Sequence, residues 1–252
     1  MKPKLLLALI FAMIISVGCA EKQQPVPPSH APETETETVE TTEDISETVE
    51  TQPETAAETL PSDPNVVSSL AEKDYLEPFL DYSWEREFDV EYVVLHFTSN
   101  VVNDRSAPYD MEKVKAIMEK DKVSAHYVID RDGSIRCFIP ENYAAWHAGA
   151  GTFANDEKYT NKMNKYSIGI EMLSIGSYSD MQYYLTYSEY SSLDETLIGF
   201  TDSQYEALKN LLTDICQRHS IPFDRMHIIG HDEYNPKKND PGELFQWDRL
   251  FG

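Results

Sequence analysis

EYVVLHF, residues 91–97, is a run of β-branched, aliphatic and aromatic side chains with a histidine, His96, near its end. Such a run reads as a strand. A second apolar run, MHIIG (226–230), reads as a buried strand and delivers another histidine, His231, at its mouth. Between them lie the parts of a layered fold. Residues 109–121, YDMEKVKAIMEKD, place Met111, Val114, Ile117 and Met118 on one helical face. SAHYVI (124–129) and SIRCFIP (134–140) flank Asp130-Arg131-Asp132-Gly133 and read as a hairpin. SIGIEML (167–173) is a further strand. Residues 201–219 form the clearest helix. Thr201 and Gln204 make a capping-box pattern, and Tyr205, Leu208, Leu211, Leu212, Ile215 and Cys216 follow at helical spacing. Ile221-Pro222 ends it. The order β, α, hairpin, β, α, β predicts an α/β fold: a central mixed β-sheet flanked by α-helices, in a single domain at residues 65–252. Residues 174–200 show no clean period and are expected to form a long loop or short helix at the rim of a cleft.

Two segments precede that domain. Lys2 and Lys4 open the chain, and Leu5–Ile15 is an apolar run too short for an ordinary membrane span. Ser16-Val17-Gly18-Cys19 resembles the lipobox of bacterial lipoproteins. Residues 1–18 therefore read as a signal peptide and Cys19 as a site of acylation, giving an exported protein lipid-anchored to a bacterial membrane. Residues 19–64 read as an acidic, Thr/Glu/Pro-rich tether; residues 31–60 hold ten acidic side chains. Such a tract buries too little apolar surface to order and is expected to stay disordered. The domain itself holds 32 acidic and 18 basic residues, which excludes nucleic acid as a partner. A monomer is expected. Cys137 falls on an expected strand and Cys216 on the apolar side of a helix, so two separate buried thiols are expected rather than a disulfide.

The two histidines raise a chemical question. If their strands are parallel neighbours, both imidazoles emerge at one edge of the sheet, where open α/β sheets place ligands. Asp240 stands nine residues after His231, before Pro241-Gly242, where a stiff residue and a turn residue can fold it back. Two imidazoles and a carboxylate suit zinc and leave a fourth tetrahedral position for water. Spacing alone leaves another reading open: a hydrogen-bonded histidine pair and a solvated loop aspartate. No local HExxH-type motif decides between them.

Four blocks carry a resemblance. They are VVLHFTS (93–99), SAHYVIDRDGSIRCFIPENYAAWHAG (124–149), YSIGIEM (166–172) and IIGHDEYNPKKNDPGELFQW (228–247), with the helix entry FTDSQYEAL (200–208) between the last two. In this order they resemble the zinc-dependent N-acetylmuramoyl-L-alanine amidases, the group that includes phage-lysozyme amidases and peptidoglycan recognition proteins. The likeness runs over residues 88–250. It implies that His96, His231 and Asp240 hold Zn2+. It implies that Glu171 moves a proton from the attacking water to the leaving amine, and that Lys238 stabilises the oxyanion. The loop before Asp240 is shorter than in many relatives, which leaves Lys237 as an alternative cation. His126, Trp146 and His147 are implied as substrate contacts, the indole offering a face to a sugar or peptide. The implied reaction is hydrolysis of the amide between the lactyl group of N-acetylmuramic acid and L-alanine, in peptidoglycan or muropeptides, facing the cell wall or periplasm. The alternative within the same likeness is a recognition module that binds peptidoglycan without cutting it.

Overall fold

The computed structural model describes residues 66–252. The expected signal peptide, Cys19 and the acidic tether lie outside the described residues. Among the described residues no helix is long and apolar enough to cross a membrane. In chain order the strands and α-helices are β1 (Glu72–Lys73), β2 (Ser83–Glu85), β3 (Tyr92–Thr98), α1 (Met111–Asp121), β4 (Tyr127–Ile129), β5 (Ile135–Cys137), β6 (Tyr143–Ala145) and β7 (Ser167–Leu173). They continue with α2 (Tyr178–Met181), α3 (Tyr187–Tyr190), α4 (Asp202–His219), β8 (Ile228–Gly230), α5 (His231–Tyr234) and α6 (Asp248–Phe251).

Six strands form one sheet in the order β1-β5-β4-β7-β3-β8, and β2 pairs with β6 separately. β4–β7, β7–β3 and β3–β8 are parallel, whereas β4–β5 is antiparallel, so the sheet is mixed as expected. Alternation along the strands sends two sets of side chains to two faces. Val93, Leu95, Ile168, Ile170, Met172 and Ile228 meet α4 through Leu208, Leu211, Leu212 and Ile215. These α4 side chains are fully buried, and truncating one, as in Leu211→Ala, costs about 2–5 kcal/mol. On the other face, Val128 and Leu173 pack on Met111, Val114 and Met118 of α1. Val94 and Ile229 pack under a long connection through Ala148, Met163 and Tyr166. The space between α1 and that connection is where strand ends remain accessible.

Local chemistry explains the boundaries. Thr201 and Gln204 cap α4 reciprocally: Thr201 Oγ1 accepts from Gln204 N–H at 3.1 Å, and Gln204 Oε1 accepts from Thr201 N–H at 3.0 Å. The first helix starts at Met111 rather than 109 because the Asp110 side chain caps it, accepting from Lys113 N–H. The last strand is shorter than MHIIG. The Asp224 carboxylate takes the N–H groups of Met226 and His227 at 2.9 and 3.1 Å, so those residues turn instead of pairing through them. Residues 174–200 hold α2, α3 and a 3-10 turn, started by side-chain caps at Ser177, Thr186 and Asp194. One-turn helices are too short to show a period. The strands β1, β2 and β6, of two or three residues, escape sequence reading for the same reason. Cys137 and Cys216 are both buried and unpaired, as expected.

Candidate metal centre

β7, β3 and β8 are adjacent and parallel, so their C-terminal ends share one sheet edge. The β3–β7 register sets His96 beside Glu171. Leu95 pairs with Gly230, which brings His231, the next residue, alongside His96. The following loop returns Asp240 to them. Asp232 N–H donates to the Asp240 carbonyl at 3.0 Å, and Gly242 turns the chain with φ +85. The Asp240 Oδ2 atom then lies 2.7 Å from His96 Nδ1 and 2.9 Å from His231 Nδ1. One ligand atom from each of the three residues lies within 4.8 Å of the others.

The protonation pattern tests whether a cation fits. His231 Nε2 lies 2.9 Å from the carbonyl oxygen of Ala148, which can only accept. A neutral His231 must carry its proton there, leaving a lone pair on Nδ1 aimed at a carboxylate oxygen. Two lone pairs at that distance repel unless a cation lies between them. The donor set, two nitrogens and one carboxylate, is one that zinc takes with a position to spare. Burial lowers the His96 pKa to about 4, the His231 charge adds to this, and Asp240 opposes it. Burial alone would raise Asp240, but the His231 and His96 rings at its Oδ2 more than offset this and hold its carboxyl below the usual range.

Glu171 stands beside this cluster with one oxygen, Oε2, sealed from solvent and without a hydrogen-bond partner among the described residues. Burial pushes its carboxyl up to about 8, the Asp240 charge adding and the Lys238 charge opposing. A carboxyl so placed both takes and gives a proton near neutral pH. Lys238 lines the same groove, of about 370 Å³, with all three candidate ligands, Glu171 and Trp146; Lys237 is not among the lining residues. Trp146 is 38% exposed and rests against Trp84 at 6.3 Å between ring centroids.

One of the expected substrate contacts is placed otherwise. His126 is fully buried and is not among the groove-lining residues. Its Nδ1 accepts from Gly169 N–H at 2.9 Å, and its Nε2 lies 3.0 Å from the Tyr143 carbonyl and from Arg86 Nη2. Burial, with the Arg86 charge, lowers its pKa to about 3. It braces β7 through Gly169 and packs edge-on against His147, with ring centroids 5.8 Å apart. His147 borders the groove, but both of its ring nitrogens are engaged by protein atoms, Nδ1 by His96 and Nε2 by Ser167.

Three supporting residues are absent from the sequence reading. Arg86 donates to the carbonyls of Glu141, Lys165, Tyr143 and Ser167, joining its own segment to the stretches 141–143 and 165–167. Asn239 donates to the Asp180 carbonyl at 3.0 Å, tying the loop that carries Asp240 to α2. Gly169 has the one available signal, a glycine inside an apolar strand, which marks a close approach. Nothing local announces the other two.

A family profile described as N-acetylmuramoyl-L-alanine amidase matches residues 86–243. The chain is 33% identical over 129 residues to the 1,6-anhydro-N-acetylmuramyl-L-alanine amidase AmpD of Haemophilus influenzae, covering 51% of this chain and 56% of that one. It is 27% identical over 169 residues to the N-acetylmuramoyl-L-alanine amidase AmiD of Escherichia coli, covering 64% of this chain and 52% of that one. The chain thus spans about half the length of the curated relatives it matches. A crystal structure of a selenomethionine AmpD derivative shares the fold, with a TM-score of 0.52, 22% identity, and coverage of 73% of this chain and 94% of that one. The profile takes in more than half of the sequence, including His96, Glu171, His231 and Asp240, and the chain belongs to the N-acetylmuramoyl-L-alanine amidase family, amidase type 2.

Proposed function

We propose that this protein hydrolyses the amide between the lactyl group of N-acetylmuramic acid and L-alanine, in peptidoglycan or its muropeptide fragments, with one zinc ion held by His96, His231 and Asp240. The observation that carries this reading is the convergence of His96 Nδ1, His231 Nδ1 and Asp240 Oδ2 at a groove that Glu171 also lines. The relatives named as amidases of muramyl-L-alanine supply the bond class. Zinc, when bound, polarises a carbonyl and makes water a better nucleophile at neutral pH.

The chain's own groups do the rest. Glu171 takes a proton from the attacking water and returns it to the departing alanine nitrogen, which needs a carboxyl that titrates near neutrality. The Lys238 ammonium faces the charge that develops on the carbonyl oxygen. Trp146, partly exposed on the wall, offers an indole face to a sugar or to the stem peptide. Acylation of Cys19 and the acidic segment after it would hold the domain near a bacterial membrane, within reach of wall or turnover fragments.

Mass spectrometry of defined muropeptides tests the reading. Release of the intact stem peptide, abolished by chelator and restored by zinc, is expected. Zinc-loaded protein that binds muropeptides and releases no peptide would instead make it a recognition module.

A further inference from the structure

The His147 ring lies between the candidate ligand His96 and β7. His96 Nε2 is 3.1 Å from His147 Nδ1, and His147 Nε2 is 3.1 Å from Ser167 Oγ. Ser167 Oγ is in turn 2.7 Å from the Met163 carbonyl oxygen. The last contact sets the direction of the whole chain. A carbonyl oxygen only accepts, so the single hydroxyl proton of Ser167 goes to Met163. Ser167 Oγ must then accept, and His147 Nε2–H is its donor. A neutral imidazole has one N–H, so His147 Nδ1 is left as an acceptor and His96 Nε2–H donates to it. The His96 proton is thereby drawn to Nε2, and its Nδ1 keeps a lone pair toward Asp240 Oδ2, 2.7 Å away.

The fold holds this arrangement from several sides. A Cβ at position 169 would come within 2.4 Å of the His147 ring, so only glycine there lets the ring lie against β7. The Asn164 side chain accepts from Ala148 N–H at 2.7 Å and from His147 N–H at 3.2 Å, fixing the backbone that carries the ring. His231 reaches the same proton placement by a shorter route, through the Ala148 carbonyl.

We propose that Ser167 and His147 are positioning residues that hold His96 in its Nε2–H tautomer, so that Nδ1 is preset as a metal ligand. This rests on the ligand set proposed above. His147 is thus a support for a ligand as well as a wall of the groove. Outer partners of this kind orient metal-bound histidines, and losing one costs about 10–100-fold in metal affinity.

Two measurements on the full chain test it. Long-range proton–nitrogen NMR of the zinc-free protein is expected to show His147 protonated on Nε2 alone; protonation on Nδ1 would overturn the relay. Chelator competition is expected to show zinc held about 10-fold more weakly by Ser167→Ala than by wild type. Wild-type affinity in Ser167→Ala would equally overturn it. The two readings fail separately. A wild-type protein that binds no zinc sinks the ligand assignment, whereas tight zinc binding with His147 protonated on Nδ1 sinks the relay alone.

Discussion

Asp240, partly exposed, and Glu141, fully buried, are two carboxylates in one domain, each facing histidine, and they lead to opposite conclusions. Glu141 accepts from Arg218 through both guanidinium ends, at 2.6 and 2.7 Å. The Tyr127 hydroxyl donates to it as well, and His219 Nε2 lies 2.5 Å away. Burial pushes its carboxyl up, but the hydrogen bonds from Arg218, His219 and Tyr127 bring it down to about 2. Its charge is matched by groups of the chain itself. A cleft of about 560 Å³ opens beside it, yet its basic wall is already paired. Asp240 faces two imidazole nitrogens, and the proton of His231 is directed elsewhere, to a carbonyl. The Asp240 Oδ2 contacts are imidazoles, where Glu141 has a guanidinium. The difference teaches that a candidate metal centre is marked by which groups face a carboxylate, imidazoles that can turn a lone pair to a cation rather than a fixed guanidinium charge, not by the size of a cavity or the number of polar groups.

The sharpest way to break the comparison is to remove Asp240. Asp240→Asn is expected to lose bound zinc, read by metal analysis, and to reduce amide hydrolysis to background. Retained zinc would place the ion elsewhere. Glu171→Gln is expected to keep its zinc while kcat falls by about 10²–10⁴-fold, the range for a general acid–base. A rate equal to wild type would leave the reaction without its proton carrier. At the closed cluster the expectation inverts. Glu141→Ala removes the acceptor of Tyr127 and one of the two carboxylates that Arg218 binds, Asp214 remaining, and is expected to cost about 1–3 kcal/mol in denaturant unfolding, with zinc affinity unchanged.

Acid titration sharpens the same contrast. An unfolded glutamate titrates near 4.3, and Glu141 in the folded protein near 2. Between those values the unfolded chain binds more protons, so stability falls as pH falls. Its contribution, about 3 kcal/mol, is complete above about pH 4.3 and lost as the pH drops toward 2. Glu141→Gln is expected to flatten that part of a stability–pH curve; an unchanged slope would remove Glu141 from the account. The smallest effect belongs to a site remote from both clusters. Thr201→Ala removes the side-chain cap of α4 and is expected to cost about 1 kcal/mol without changing kcat.

Legibility followed the range of the interactions. The α4 helix could be read almost to the residue, because its cap and its apolar stripe are local. His96 and His231 were readable as strand-end histidines, and Asp240 through its Pro-Gly neighbours. Glu171 was readable only by resemblance, since a glutamate in SIGIEML looks like any half-exposed strand residue. His126 and His147 look alike in sequence, each beside an apolar stretch. One is sealed against the backbone of β7 and the other is held against a ligand. Which carbonyl each ring meets depends on segments many residues away.

The sequence by itself determined the element order, the capped helices and the residues with ligand chemistry, because alternation, helical spacing and turn residues act over a few positions. Only the tertiary structure decided which nitrogen of each histidine faces Asp240 and which carboxylate meets a guanidinium. Proton placement is set by acceptors such as Met163 and Ala148, and only folding brings these to the rings.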